Sequence, residues 1–513
     1  MRFSSSLGCG LALLRALVAS AGIPSYFQKF PVTRSEINAA TVLRELGRRI
    51  SSNTILYGPS DSRYANATAR WNDFAIPQIQ VVVVAGEESD VSTIVRYCNE
   101  NSLEFLAING GHGNGKSLGS FKGIQINLKN LRNISIQDDG KTAWFGGGVY
   151  DGEANSYLWD QGYLVTTGSC DCVGMMGAGL GGGHGRLEGP YGMISDNIVQ
   201  LHVVLGNGHA VVVNETSHSD LLWAMKGAGH NFGIVTSFEM QIYPNDLETW
   251  HYHSYIWTGD KLEAVFTALN NLQGNGTTPV NMTTNFGNFA MNTSITDTEP
   301  VICWTFAYRG SSEEAEGYLT ELNAIEAVHE EYDDIPYPEI ASAQQTGVDD
   351  FICQDGYTRI TATAGLQVYN LTAERNIFDR FTQIIARNPI LAAGGVILHE
   401  GYSTEGVTSV SSDSSAYPFR DDHHLMLVQI IVPPGNATIE KAAWDWALEV
   451  RAQWNDGQPG RPINAYVNYA NGFEPLHQMY GHEAWRLKKL RKLKAKYDPS
   501  NRFRYYNPII KGT

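Results

Sequence analysis

The chain has 513 residues, 43% of them hydrophobic, which is the composition of a globular protein long enough for two or more domains with full cores. Its formal net charge is −16. That acidity argues against nucleic acid and against anionic membrane surfaces as partners, because both select basic patches. A soluble enzyme or binding protein remains.

The first 21 residues read as a secretory signal peptide. Arg2 supplies the positive start, Leu7 to Val18 an apolar stretch, and Ala19-Ser-Ala21 a small-residue cleavage site. The apolar stretch is too short to span a bilayer. Glycosylation sequons occur at Asn66, Asn133, Asn214, Asn275, Asn281, Asn292, Asn370 and Asn436. Together these features predict a secreted glycoprotein. Six cysteines show no regular disulfide framework, and Cys9 would leave with the leader. Cys170-Asp-Cys172 has no second pair at ligand spacing, so no metal site is expected.

Residues 22 to 75 carry no clear pattern. Ile79 to Ala85 is a continuous β-branched run and predicts a buried strand. Glu88-Ser-Asp90 starts a helix whose Val91, Ile94, Val95 and Cys98 share one face, which makes Cys98 a core residue. Phe105 to Ile108 is the next strand, in a β-α-β unit, and it delivers a glycine loop, Asn109-Gly-Gly-His-Gly-Asn-Gly-Lys-Ser117. Strands follow at 124–128 and 143–145, then a helix around 154–159. A second glycine loop runs from Gly168 to Gly185. Ile198 to Leu205 and Ala210 to Val213 form a hairpin across Gly206-Asn-Gly208. From about 246 the glycine loops stop. Strands at 250–257, 301–308, 394–399 and 425–432 alternate with helical stretches near 260–272, 312–325, 372–387 and 437–454. Pro462 to Tyr469 reads as a further strand, and 483–496 as a terminal helix. That helix carries Leu487, Leu490 and Leu493 inside and a solvated run from Lys488 to Lys494 outside.

Glycine leaves no side chain between backbone N–H groups and a phosphate. Two such loops, one with His112 and one with Cys170 and Cys172, suggest a large phosphate-bearing cofactor held by backbone. The motifs Gly110-Gly-His112, Gly168-Ser-Cys170, Val173-Gly174, Gly181-Gly-Gly183, Tyr191-Gly192 and Asp196-Asn-Ile198 stand in order along the chain. Asn231-Phe-Gly-Ile-Val-Thr236, Tyr466-Val-Asn-Tyr469 and Tyr497-Asp-Pro-Ser-Asn-Arg-Phe503 follow them. In these the chain resembles the berberine-bridge-enzyme-like FAD-linked oxidases of fungal type, a branch of the vanillyl-alcohol-oxidase superfamily. The resemblance covers most of the chain.

The resemblance implies an α+β fold: a PCMH-type FAD-binding domain of two α+β subdomains, plus a substrate domain with an antiparallel sheet covered by helices. The FAD domain would comprise 22–245 and the returning segment 461–513, with the substrate domain at 246–460. It implies bicovalent FAD, with His112 on the 8α-methyl and Cys170 on C6; Cys172 is a neighbouring alternative thiol. Asn109, Gly110, Gly111, Gly113, Asn114, Ser117, Gly174, Gly177, Gly182, Ile198 and Asn468 would surround the cofactor. Tyr469 matches the family's active-site tyrosine and is the expected base. His399 stands where relatives carry a catalytic Glu. Two departures matter: Ala178 replaces a frequent His, and Val173 stands where a small residue leaves room for O2, which resembles an oxidase.

The expected activity is hydride transfer from a small secondary metabolite (a phenolic, polyketide or alkaloid) to FAD, with O2 as acceptor and H2O2 as product, oxidative ring closure included. Two alternatives stand beside it. One is a carbohydrate oxidase forming a lactone, favoured by an open groove lined by Trp and Tyr. The other is a secreted flavin-binding protein without significant turnover.

Overall fold

Strand-forming runs build three principal sheets. The computed structural model describes residues 37–274 and 276–510. The leader expected over 1–21 and the sequon at Asn275 lie outside them.

In the first sheet the order is Ile55–Tyr57, Gln78–Val84, Lys122–Asn127, Phe105–Ile108. The β-branched run makes Gln78–Val84, which is parallel to Lys122–Asn127, as is Phe105–Ile108. The expected β-α-β unit is present, with Lys122–Asn127 inserted between its two strands. Helix Glu88–Glu100 packs Val91, Ile94, Val95 and Cys98 into this core, all fully buried. Its start is fixed by a capping box between Glu87 and Asp90.

The second sheet runs Ile134–Ile136, Thr142–Gly146, Gly233–Gln241, Ile198–Leu205, Ala210–Asn214. The hairpin forms as expected, with Gly208 at φ +82° in its turn. The third sheet is antiparallel, in the order His329–Ile335, Trp250–Trp257, Thr296–Tyr308, Met282–Asn292, Gly395–Gly401, His424–Val432, Thr358–Leu366. Helices Leu262–Leu272, Ser312–Asn323, Leu371–Arg387 and Ala437–Asp456 bury one of its faces in a continuous apolar cluster. The fold is therefore α+β.

Two expectations near the C-terminal segment are corrected. Pro462 to Tyr469 is not a strand but an irregular stretch ending in a turn, with the Tyr469 amide donating to the Tyr466 carbonyl. Its backbone is met by the Asn507 side chain rather than by a strand ladder: Asn507 Nδ2 donates to Val467 O and to the neighbouring Ala470 O at 2.8 and 3.1 Å. Helix Ala484–Tyr497 forms, but its charged run is not all solvated. Lys494 is fully buried, 2.7 Å from Asp498, and donates to the carbonyls of Asn231 and Phe503. These contacts return the end of the chain to the second sheet, where the Ile509 amide also reaches Asn231. Among the described residues no helix is long and apolar enough to cross a membrane.

Candidate active site

The first glycine loop leaves the C-terminal end of strand Phe105–Ile108 and meets the second loop face to face. A Cβ on Gly110 would lie 3.1 Å from both the Cys172 carbonyl oxygen and the Gly174 amide nitrogen. One on Gly174 would lie 2.6 Å from Asn109 Cγ. Bare backbone at these two positions lets the loops interlock, and the interlock brings His112 and Cys170 to the wall of one cavity of about 1130 Å3. Ordinary ligand pockets hold roughly 300–1,000 Å3, so there is room for a large cofactor and a substrate together. The far wall is the sheet face not covered by helices.

Asn109, Gly110, Gly111, His112, Gly113, Asn114, Cys170, Gly174, Gly177, Asn468 and Tyr469 all line this cavity. Four expected residues do not. Ser117 lies at the end of the loop, in the short 3-10 turn Lys116–Ser120. Gly182, at φ +108°, packs behind the wall on the Tyr417 ring. Ile198 opens its strand inside the apolar core. His399 belongs to the opposite face of strand Gly395–Gly401, fully buried among Phe266, Phe289, Trp304, Tyr369 and Trp454. There its Nε2 pairs with Glu374 at 2.9 Å. A strand alternates faces residue by residue, so Leu398 and Glu400 reach the cavity and His399 does not. The residue of consequence is Glu400, one position on.

Glu400 is the centre of a hydrogen-bond network. The Tyr469 hydroxyl donates to its two oxygens at 2.7 and 2.8 Å, and Tyr402 to one of them at 3.4 Å. Ser169 Oγ is 2.8 Å from the Tyr402 hydroxyl. Nearby, His184 holds Glu188 through Nδ1 at 2.9 Å and the Tyr417 hydroxyl through Nε2 at 2.6 Å. Burial pushes Glu400 up from 4.5 to about 7, although the Tyr469 hydrogen bond pulls the other way. Burial and then the Glu400 charge push Tyr469 well above 10. In this arrangement the Tyr469 hydroxyl, expected as the base, is a hydrogen-bond donor to Glu400. Glu400, raised toward neutrality, accepts the hydrogen bonds of the network.

Cys172 does not compete with Cys170. It is bonded to Cys353, 181 positions on, and its sulfur lies 3.5 Å from His112 Nε2. This bridge also excludes the two cysteines as a metal pair. Cys170 is a free thiol, and burial followed by the Glu400 charge raises it from 9 to about 12. Burial and then the Arg359 charge lower His112 from 6.5 to about 4, so its imidazole is neutral at pH 7. Its Nδ1 is buried without a hydrogen-bond partner. Arg70, buried on the same wall beside Gly111, has an unpartnered Nε. An orphaned imidazole nitrogen, a free thiol, a buried guanidinium and glycine backbone fit the dinucleotide that the resemblance implies.

The disulfide ties the second glycine loop to the segment before strand Thr358–Leu366. A closed loop this long constrains the unfolded chain, worth about 5 kcal/mol in the chain-entropy account. Cys353→Ala should therefore lower the melting temperature by several degrees. Thermal melts with and without reductant check this; identical melts would deny the bridge a stabilising role.

A family profile described as "FAD binding domain" matches residues 79–214, and one described as "Berberine and berberine like" matches residues 465–510. The FAD-linked oxidoreductase anuG of Penicillium roqueforti is 50% identical over 510 residues, covering 99% of this chain and 100% of that protein. The carbohydrate oxidase of Microdochium nivale superposes with a TM-score of 0.77 at 19% identity, covering 93% of this chain and 100% of that one. The glucooligosaccharide oxidase of Acremonium strictum, which carries a 6-S-cysteinyl, 8α-N1-histidyl FAD, superposes with a TM-score of 0.73 at 18% identity, covering 93% and 99%. At such identities the two structures show a shared fold.

Proposed function

This chain belongs to the berberine-bridge-enzyme-like FAD-linked oxidoreductases, and on that footing we propose that it oxidises a small phenolic, polyketide or alkaloid metabolite, oxidative ring closure included. We take 22–245 with 461–513 as the FAD-binding part and 246–460 as the substrate part. His112 through Nδ1 and Cys170 through sulfur hold the flavin covalently. Asn109, Asn114, Arg70 and the loop backbone line its pocket. Bound there, FAD supplies a two-electron acceptor for substrate hydride, reoxidised by O2 to H2O2.

The Glu400–Tyr469 pair carries the reading. Glu400 takes the O–H or N–H proton of the substrate at a carboxylate oxygen, while Tyr469 and Tyr402 orient it. The sheet wall opposite contributes Phe286, Val396, Leu398, Leu427 and Ile431, which exclude water. Of the substrate-segment aromatics Trp250, Tyr252, Trp257, Trp304 and Tyr308, Trp304 reaches the cavity wall and the other four are buried in cores and off it. That favours a metabolite over a carbohydrate. Secretion is supported by the Cys172–Cys353 bridge, since such bonds persist in oxidising compartments. Sequon residues Asn66, Asn133, Asn370 and Asn436 are exposed.

A peroxide-release screen across phenolic metabolites and sugars tests the proposal. Peroxide from phenolic substrates is the expected result. Peroxide from sugars alone would assign a carbohydrate oxidase, and FAD that no substrate bleaches would leave a flavin-binding protein without turnover. With a substrate in hand, Tyr469→Phe should keep the bound-FAD spectrum and slow turnover roughly tenfold, the loss expected for one hydrogen bond to a charged group. An unchanged rate would remove Tyr469 from the reaction.

A further inference from the structure

His251 and His253 stand two residues apart on strand Trp250–Trp257, so both rings project to the same face. It is the helix-covered face, away from the cavity. Helix Ser312–Asn323 crosses it and supplies Glu316. One oxygen of that carboxylate, Oε1, lies 2.8 Å from His251 Nε2 and 2.8 Å from His253 Nδ1. The three potential ligand atoms fall within 4.8 Å of one another. Both imidazoles are only 4% exposed.

The surroundings are organised as well. Asn323 Nδ2 donates to the second Glu316 oxygen at 2.6 Å, which fixes the carboxylate. The Tyr255 hydroxyl donates to Asn323 and lies 3.0 Å from His253 Nδ1. The outward nitrogen of each ring faces the edge strand His329–Ile335: His251 Nδ1 is hydrogen-bonded to Asp334 at 2.8 Å, and His253 Nε2 lies 3.2 Å from Glu330 but is left without a hydrogen-bond partner. A carboxylate on the far nitrogen is the arrangement that orients a metal-bound imidazole and raises its basicity. Three carboxylates around two imidazoles also leave negative charge for a dication to neutralise.

We infer a divalent transition-metal site, with His251 Nε2, His253 Nδ1 and Glu316 as ligands, water in the fourth position, and Asp334 orienting the His251 ring. Two imidazoles and one carboxylate suit Zn2+. The ion would replace the hydrogen bonds by which the two rings now meet Glu316. On the far side of the sheet from the flavin pocket, the ion has no part in the oxidation. It clamps the helix and, through Asp334, the outermost strand to the sheet.

The test uses the full-length, FAD-loaded protein, stripped with a chelator and titrated with Zn2+ by calorimetry, with bound metal counted after desalting. One Zn2+ per chain and a higher melting temperature are expected. Glu316→Gln and Asp334→Asn should each weaken binding at least tenfold, with bound-FAD absorbance reporting that the variants fold. His477 and His482, a separate exposed pair with ring centroids 5.4 Å apart, serve as the control. Changing both to Ala should leave the stoichiometry at one. Failure of the parent protein to bind one equivalent overturns the site, as does binding that survives Glu316→Gln but vanishes in the control. Neither result bears on flavin content or peroxide release, so this site stands or falls apart from the proposed oxidation.

Discussion

Glu400→Gln is expected to lower kcat by about 10²- to 10⁴-fold, the usual contribution of a positioned base. The amide keeps the size of the side chain and still accepts from Tyr469, so the cavity stays formed and only the proton acceptor is lost. The parent enzyme should gain activity as pH rises through about 7, where the buried carboxyl ionises. In the variant that limb should flatten. Stability should move the other way. A carboxyl raised from 4.5 to about 7 supports the fold fully below its ordinary pKa, and that support is lost as pH climbs through 7, a cost of about 3 kcal/mol. Glu400→Gln should therefore melt higher than the parent at pH 8 and no higher at pH 4.5. Rate–pH profiles and melts at the two pH values check both halves. A variant with full activity would move the base elsewhere.

The second large effect concerns attachment. Acid-precipitated parent protein should stay yellow. His112→Ala alone and Cys170→Ala alone should each retain some flavin in the pellet, and the double variant should release all of it. The two single variants should differ. The His112 imidazole is neutral at pH 7, with a free nitrogen, and is ready to act as a nucleophile. The Cys170 thiol, pushed to about 12, is almost wholly protonated there. Loss of His112 should thus cost more attached flavin than loss of Cys170. A colourless pellet from the parent protein would end the covalent account, and a yellow one from the double variant would place the links elsewhere.

Much of the architecture is legible from residue patterns, and the exceptions have physical causes. Phe105–Ile108, Ile198–Leu205 and Trp250–Trp257 are marked to the residue by apolar and β-branched side chains bounded by polar or glycine turns. His329–Ile335 escapes notice because an outermost strand carries charge rather than apolar residues, which guards an open edge. The glycine loops reveal His112 and Cys170 because close backbone approach needs glycine. Glu400 is hidden for a different reason. Strand Gly395–Gly401 is covered on both faces, by helices and by the cavity wall, so its pattern does not say which residues face the ligand. A one-residue slip then selects His399. The Cys172–Cys353 bridge is illegible because its halves meet only through tertiary structure.

The cavity wall draws on parts of the chain made at very different times. His112 and Cys170 are translated early, Glu400 late, and Tyr469 later still, held in place by Asn507 through Val467 and Ala470. A nascent polypeptide still on the ribosome therefore displays the nucleophilic loops without their acid–base partner. Flavin capture and competence for turnover become separable in time, and a premature stop between Tyr469 and Tyr497 is expected to leave Tyr469 without its support and to strip Tyr497 and Ile509 from the core behind the second sheet.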